Sequence, residues 1–206
     1  MKTPAWWQRA SRQLGAADPI LGALITRYQG LTLASRGDAF QTLARSIIGQ
    51  QISVKAAQSV WDRFAAAVGD MQPQSVLRLP EIQMRGCGLS GQKVKYLYDL
   101  SERFAGGTLD VARWHDMDDE TLIADLTQVK GIGRWTAEMF LIFYLTRPDV
   151  FPLGDLGLQR ALRLHYNSGR ALSERRIAAL SRLWTPWRSA ATWYLWRSLD
   201  PLPVEY

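Results

Sequence analysis

The sequence predicts an all-α protein, and three observations carry that expectation. Apolar residues recur at helical spacing along nearly the whole chain; Phe40, Leu43, Ala44, Ile47 and Ile48 fall at i, i+3, i+4, i+7 and i+8. Ser, Asp and Gly stand where such runs begin and end, as N-caps and stops. Strand signals are scarce, since Leu31-Thr32-Leu33 is the one stretch that reads as extended, and it is too short to build a sheet.

The helices follow in order. The run from Phe40 to Ile48 ends at Gly49, and Gly49-Gln50-Gln51-Ile52 forms a polar tip before Ser53 caps a second helix. Ala57, Val60, Trp61, Phe64 and Val68 are the inner stripe of that helix. Pro73 and Pro80 bracket a short segment around Val76 and Leu77, and Arg85-Gly86-Cys87-Gly88 reads as a loop. A further helix starts near Ser90, buries Val94, Leu97 and Phe104, shows Lys93 and Lys95 to one side and closes at Gly106-Gly107. Asp118 or Asp119 caps the helix carrying Leu122, Ile123 and Leu126. Toward the C-terminus, Leu156 to Tyr166 is helical and Ser173 caps Ile177 to Trp184. Thr185-Pro186 supplies a cap and first-turn proline for a last helix through Trp196.

Composition narrows the class. A chain of 206 residues with 47% apolar content has enough material for one well-buried domain or two small lobes. A net charge of +6 favours a polyanionic partner. A single cysteine, Cys87, allows neither an internal disulfide nor an iron–sulfur cluster and suits a reducing compartment. Met1 to Gln8 lacks the apolar core of a signal peptide and no run approaches membrane-spanning length, so the expectation is a soluble cytoplasmic protein. His115 and His165 lack companions at metal spacing, and Asp116, Asp118, Asp119 and Glu120 read as a solvated helix start.

The chemistry concentrates between Asp125 and Arg163. In Leu126-Thr127-Gln128-Val129-Lys130-Gly131-Ile132-Gly133-Arg134-Trp135-Thr136-Ala137, two glycines one residue apart separate two helical runs, which makes a helix, a hairpin and a helix. The opening of the second helix offers unpaired N–H groups and the positive end of a dipole, a socket for an anion, with Lys130 and Arg134 beside it. Twenty residues beyond Trp135, Phe151-Pro152-Leu153-Gly154-Asp155-Leu156 places a carboxylate in a Gly/Pro-punctuated loop before another apolar run. Asp155 also reads as the N-cap of that run, and the two roles are compatible.

Together with Ile48-Gly49-Gln50-Gln51-Ile52-Ser53 and Trp187-Arg188-Ser189 to Trp196, these motifs resemble the helix-hairpin-helix DNA glycosylase superfamily. The resemblance runs from about Phe40 to Trp196 and is to the alkylation-repair branch, of the 3-methyladenine DNA glycosylase II type in a compact form without an N-terminal β domain. It implies a two-lobed helical bundle, with a central lobe over 38–147 and a second lobe joining 1–37 to 148–206. Asp155 and Trp196 are then expected to face the hairpin across a cleft. It also implies a monomer acting on double-stranded DNA that contains alkylated bases, with no membrane association and, in a bacterium, a place at the nucleoid.

Residue by residue, the resemblance makes Asp155 the catalytic acid. It puts Gly131, Gly133, Lys130, Arg134 and Thr136 on the DNA backbone, and Trp135, Trp196, Met139 and Leu156 in the base pocket. The last two stand where the family often has tyrosine, and Lys130 stands where it often has proline. Gln51 matches the wedge that fills the gap left by a flipped base. The main-chain carbonyls of Thr127, Val129 and Ile132 match a site for Na+ or K+; no other cofactor is implied. Relatives that also cut the strand carry a lysine nucleophile at the position of Trp135, so the expected enzyme is monofunctional. A glycosylase for neutral damaged bases and a non-catalytic hairpin module that binds DNA are the competing readings.

Overall fold

The computed structural model describes residues 3–35 and 37–199. Among them are twelve α-helices, one 3-10 turn and no strand. The chain divides into two compact units, one formed by Met1–Arg36 with Leu141–Glu205 and the other by Gly37–Phe140.

The N-terminal segment of the first unit folds as α1 (Trp7–Ala17) and α2 (Pro19–Arg27), two helices that local pattern reading passed over. Asp18 separates them. Its carboxylate caps α2 by accepting from the N–H groups of Ile20 and Leu21, and Pro19 starts the helix where its missing N–H costs nothing. The remaining helices of this unit are α10 (Leu156–Tyr166), α11 (Glu174–Trp184) and α12 (Arg188–Leu199). Asp18, itself buried, also accepts from Tyr166 Oη at 2.8 Å and Trp184 Nε1 at 2.9 Å, so one carboxylate ties α2, α10 and α11 together. Burial first, and then the neighbouring carboxylate, push the Tyr166 hydroxyl far up, which keeps it a donor. Trp7 packs edge-on against Trp193 and lies beside Tyr194, filling the core of this unit.

The second unit begins with α3 (Ala39–Gly49) and α4 (Val54–Val68), capped by Asp38 and Ser53. It continues with α5 (Pro73–Arg78), α6 (Glu81–Gly86), α7 (Gly91–Ala105) and α8 (Asp119–Leu126), and runs into α9 (Arg134–Phe143). The helical stripe of α3 is wholly buried, and Ser90 and Asp118 cap α7 and α8 as their positions require. Phe40, Phe104, Trp114 and Phe140 form a chain of edge-to-face contacts through this core, with ring centroids 5.4, 6.1 and 5.4 Å apart.

Two expectations are corrected. Arg85 and Gly86 are the last residues of α6 rather than a loop; the N–H groups of Gln83 and Met84 turn back to Pro80 O and start a helix after the proline. The last helix starts at Arg188, not at Pro186, because the Thr185 hydroxyl bonds back to Ser181 O and terminates α11 instead of capping α12.

Candidate active site

The loop ahead of α10 is held from below by the start of α12. Arg188 grips Asp149 with both arms, Nε to Oδ1 at 2.7 Å and Nη2 to Oδ2 at 2.9 Å, and Ser189 Oγ accepts from Val150 N–H. The chain then turns, with Asp155 N–H donating to Pro152 O, and Gln159 Nε2 holds Leu153 O from the next helix. Asp155 is thereby delivered to the N-cap of α10 in an extended conformation. Its Oδ1 accepts from Leu158 N–H at 2.6 Å and from Trp196 Nε1 at 2.7 Å.

Trp196 stacks on Phe143, with centroids 5.8 Å apart and planes 16° from parallel, so the indole is fixed by one ring and one hydrogen bond. Gly157 makes this approach feasible: a β-carbon there would fall 3.1 Å from Asp155 Oδ1 and 3.2 Å from Trp196 Cδ1. Sequence reading missed Gly157, although a glycine in the first turn of a helix is itself a signal that another group comes close. Leu156, beside the acid, is 79% exposed.

In the second unit the hairpin joins α8 to α9. Ile132 N–H returns to Val129 O at 3.0 Å, and Gly131 takes a φ of 84° that side chains disfavour. A β-carbon on Gly131 would lie 2.1 Å from Tyr96 Cδ2, so sterics also demand glycine there. A β-carbon on Gly133 would meet nothing within 4 Å, so the space beside its backbone is open. Among the described residues, neither glycine N–H donates to another main-chain carbonyl. Thr136, in the first turn of α9, is buried.

The charges at the hairpin are balanced. Asp99 Oδ2 accepts from Lys130 N–H at 2.9 Å and from Arg103 at 3.0 Å, while Lys130 Nζ stands 3.5 Å from its other oxygen. Burial alone would raise the Asp99 carboxyl, but these donors outweigh it and hold the group below the usual carboxylate range. Arg134 pairs with Glu120 and Glu138, and the Glu120 hydrogen bond raises the guanidinium further above its ordinary value. Trp135, in the first turn of α9, is 40% exposed, and Met139, one turn on, is buried. Gln51 follows α3 with a φ of 60°, and its neighbour Gln50 reaches Gly131 O through Nε2 at 2.7 Å. The structure therefore brings Asp155 to Trp196, and Gln50 to the hairpin.

The family described as HhH-GPD superfamily base excision DNA repair protein matches residues 44–186. The chain is 32% identical over 179 residues to DNA-3-methyladenine glycosylase 1 of Schizosaccharomyces pombe, covering 85% of this chain and 78% of that protein. Two Bacillus subtilis relatives are longer, and the match spans 66% of each. Among solved structures, a DNA-3-methyladenine glycosidase from Bacillus halodurans superposes with a TM-score of 0.87 at 32% identity, covering 97% of this chain and 93% of that one. The S. pombe 3-methyladenine DNA glycosylase in complex with abasic DNA gives 0.79 at 29% identity, covering 96% and 99%. Because the family match takes in the α3–α4 turn, the hairpin and the Asp155 loop alike, the chain belongs to the HhH-GPD superfamily of base excision DNA repair proteins.

Proposed function

We propose that the protein is a monofunctional DNA glycosylase that flips out alkylated, cationic purines such as 3-methyladenine and 7-methylguanine and hydrolyses their N-glycosidic bonds. The observation that carries this reading is the Asp155 carboxylate, fixed through one oxygen by Leu158 N–H and Trp196 Nε1. Breaking the base–sugar bond develops positive charge on the deoxyribose, and a carboxylate in a set position stabilises that charge and orients the attacking water. A base already cationic from alkylation leaves as a neutral molecule, so no second acid is required, unlike hydrolysis of an ordinary sugar leaving group. Relatives named 3-methyladenine DNA glycosylases support the substrate class.

Each remaining residue has a role in this reading. The N–H groups of Gly131, Gly133 and Thr136 bind the DNA backbone, and Lys130 and Arg134 add positive charge; such contacts carry no sequence information. The carbonyls of Thr127, Val129 and Ile132 are hard oxygen donors that fit Na+ or K+, and Val129 O, which accepts from Ile132 N–H, retains a second lone pair. A cation there would add positive charge beside a phosphate. Trp135 and Trp196 offer electron-rich ring faces, which attract a cationic flipped base more than a neutral one, and Met139 and Leu156 add apolar surface. Gln51 fills the place the base vacates. Trp135 offers no amine for a Schiff base, so the product is an abasic site in an intact strand.

Incubation with methylated duplex DNA followed by mass spectrometry of the released bases tests the proposal. Release of 3-methyladenine or 7-methylguanine is the expected result. Release only of hypoxanthine or uracil would favour a glycosylase for neutral bases, and no release with intact binding would favour a hairpin module without catalysis. Borohydride treatment is expected to trap no covalent adduct.

A further inference from the structure

Helix α7 bears a row of side chains at intervals of three, Lys93, Tyr96 and Asp99, and each meets one of two turns. Lys93 Nζ donates to Ile48 O at 2.7 Å and to Gln50 O at 2.8 Å, at the C-terminal end of α3, where carbonyls lack partners inside the helix and the dipole is negative. The Tyr96 ring lies under Gly131, and Asp99 holds Lys130 N–H. Gln50 Nε2 closes the circuit on Gly131 O. The α3–α4 turn and the hairpin are therefore bonded to each other and both to α7.

Gln51 sits next to this circuit in a left-handed conformation that non-glycine residues adopt at a cost, and such a conformation persists only where its surroundings over-determine it. Lys93 is half-buried, two of its three N–H bonds are committed to carbonyls, and burial lowers its affinity for its proton. A lysine so engaged serves the fold rather than a phosphate.

We propose that Lys93 is a positioning residue for lesion capture: by locking Gln50 O it holds Gln51 in its left-handed conformation at a fixed offset from the hairpin. One helix then sets the distance between the side chain that fills the vacated base position and the grip on the backbone. The inference rests on the reading of Gln51 as that side chain.

The test compares affinity for a duplex containing a tetrahydrofuran abasic site with affinity for the same duplex undamaged. Lys93→Met and Gln51→Ala are each expected to lower the abasic preference about tenfold, and the double variant no further than either alone, because the two act through one interaction. Undamaged binding by Lys93→Met should hold, and Lys93→Arg, whose fork can reach both carbonyls, should restore most of the preference. If Lys93→Met fails to fold, Gln50→Ala, which cuts only the link to Gly131, is expected to lose the preference in its place. An unchanged preference in the folded Lys93→Met or in Gln50→Ala, or a double variant that falls by the product of the single losses, overturns the inference. An unchanged preference in Gln51→Ala overturns the wedge reading, and the inference with it. Loss in Gln51→Ala without loss in Lys93→Met sinks the inference alone.

Discussion

Replacing Asp155 by Asn keeps a side-chain oxygen able to accept from Leu158 N–H and Trp196 Nε1, so the cap of α10 and the seat of the indole survive while the negative charge is lost. Asp155→Asn is therefore expected to fold and bind DNA normally and to lose base release by about 10²-fold or more, measured as single-turnover excision. The two hairpin glycines separate in the same manner. Gly131→Ala places a methyl group against Tyr96 at a positive φ and is expected to cost about 1–3 kcal/mol in urea denaturation. Gly133→Ala enters open space; its stability should hold while DNA affinity drops, because the methyl group would stand where the proposed reading places a phosphate.

At the scale of elements, the contact between α7 and the hairpin has a pH signature. The Asp99 carboxyl is held below its ordinary value of 3.8 in the folded state, so its stabilisation is present in full above that value and is lost as pH falls through the lower, folded-state one. Asp99→Asn is expected to lower stability at neutral pH by about 1–3 kcal/mol and to flatten the acid limb of stability against pH, both read from denaturation midpoints. Residues of this kind mark where sequence reading stops. The limits of α10 were legible because Asp155, the apolar spacing and the turn residues all lie within one window. Asp99 and Gln50 were not, since their partners lie 31 and 81 residues away and nothing local distinguishes either from a surface polar residue. The start of α12 was misread for a related reason: Thr185 can cap the helix ahead or close the one behind, and only the folded chain chooses.

Across the whole molecule, a net charge of +6 and the backbone grip proposed for the hairpin are expected to make binding to undamaged duplex depend strongly on salt. The logarithm of affinity should fall linearly with the logarithm of salt concentration, and a titration in KCl gives the number of phosphates engaged. A binding constant independent of salt would contradict the backbone role of the hairpin. The fold class was legible throughout, because helical spacing needs no partner to be seen, whereas how the helices group into two units depends on contacts that no single window contains.

The two duties that the proposed reading gives Asp155, cap and catalytic acid, bear on how such a chain drifts over generations. The N-cap of α10 and the hydrogen bond from Trp196 Nε1 each ask only for an oxygen, which Asn supplies as well as Asp, so neither of these two contacts by itself demands the negative charge. On that reading, a lineage released from the need to repair DNA could exchange Asp155 for Asn in one step and is expected to keep its shape and its binding to DNA. Silent descendants of this kind would pass a test of folding, and the residue at position 155 is where the proposed reading says to look for them.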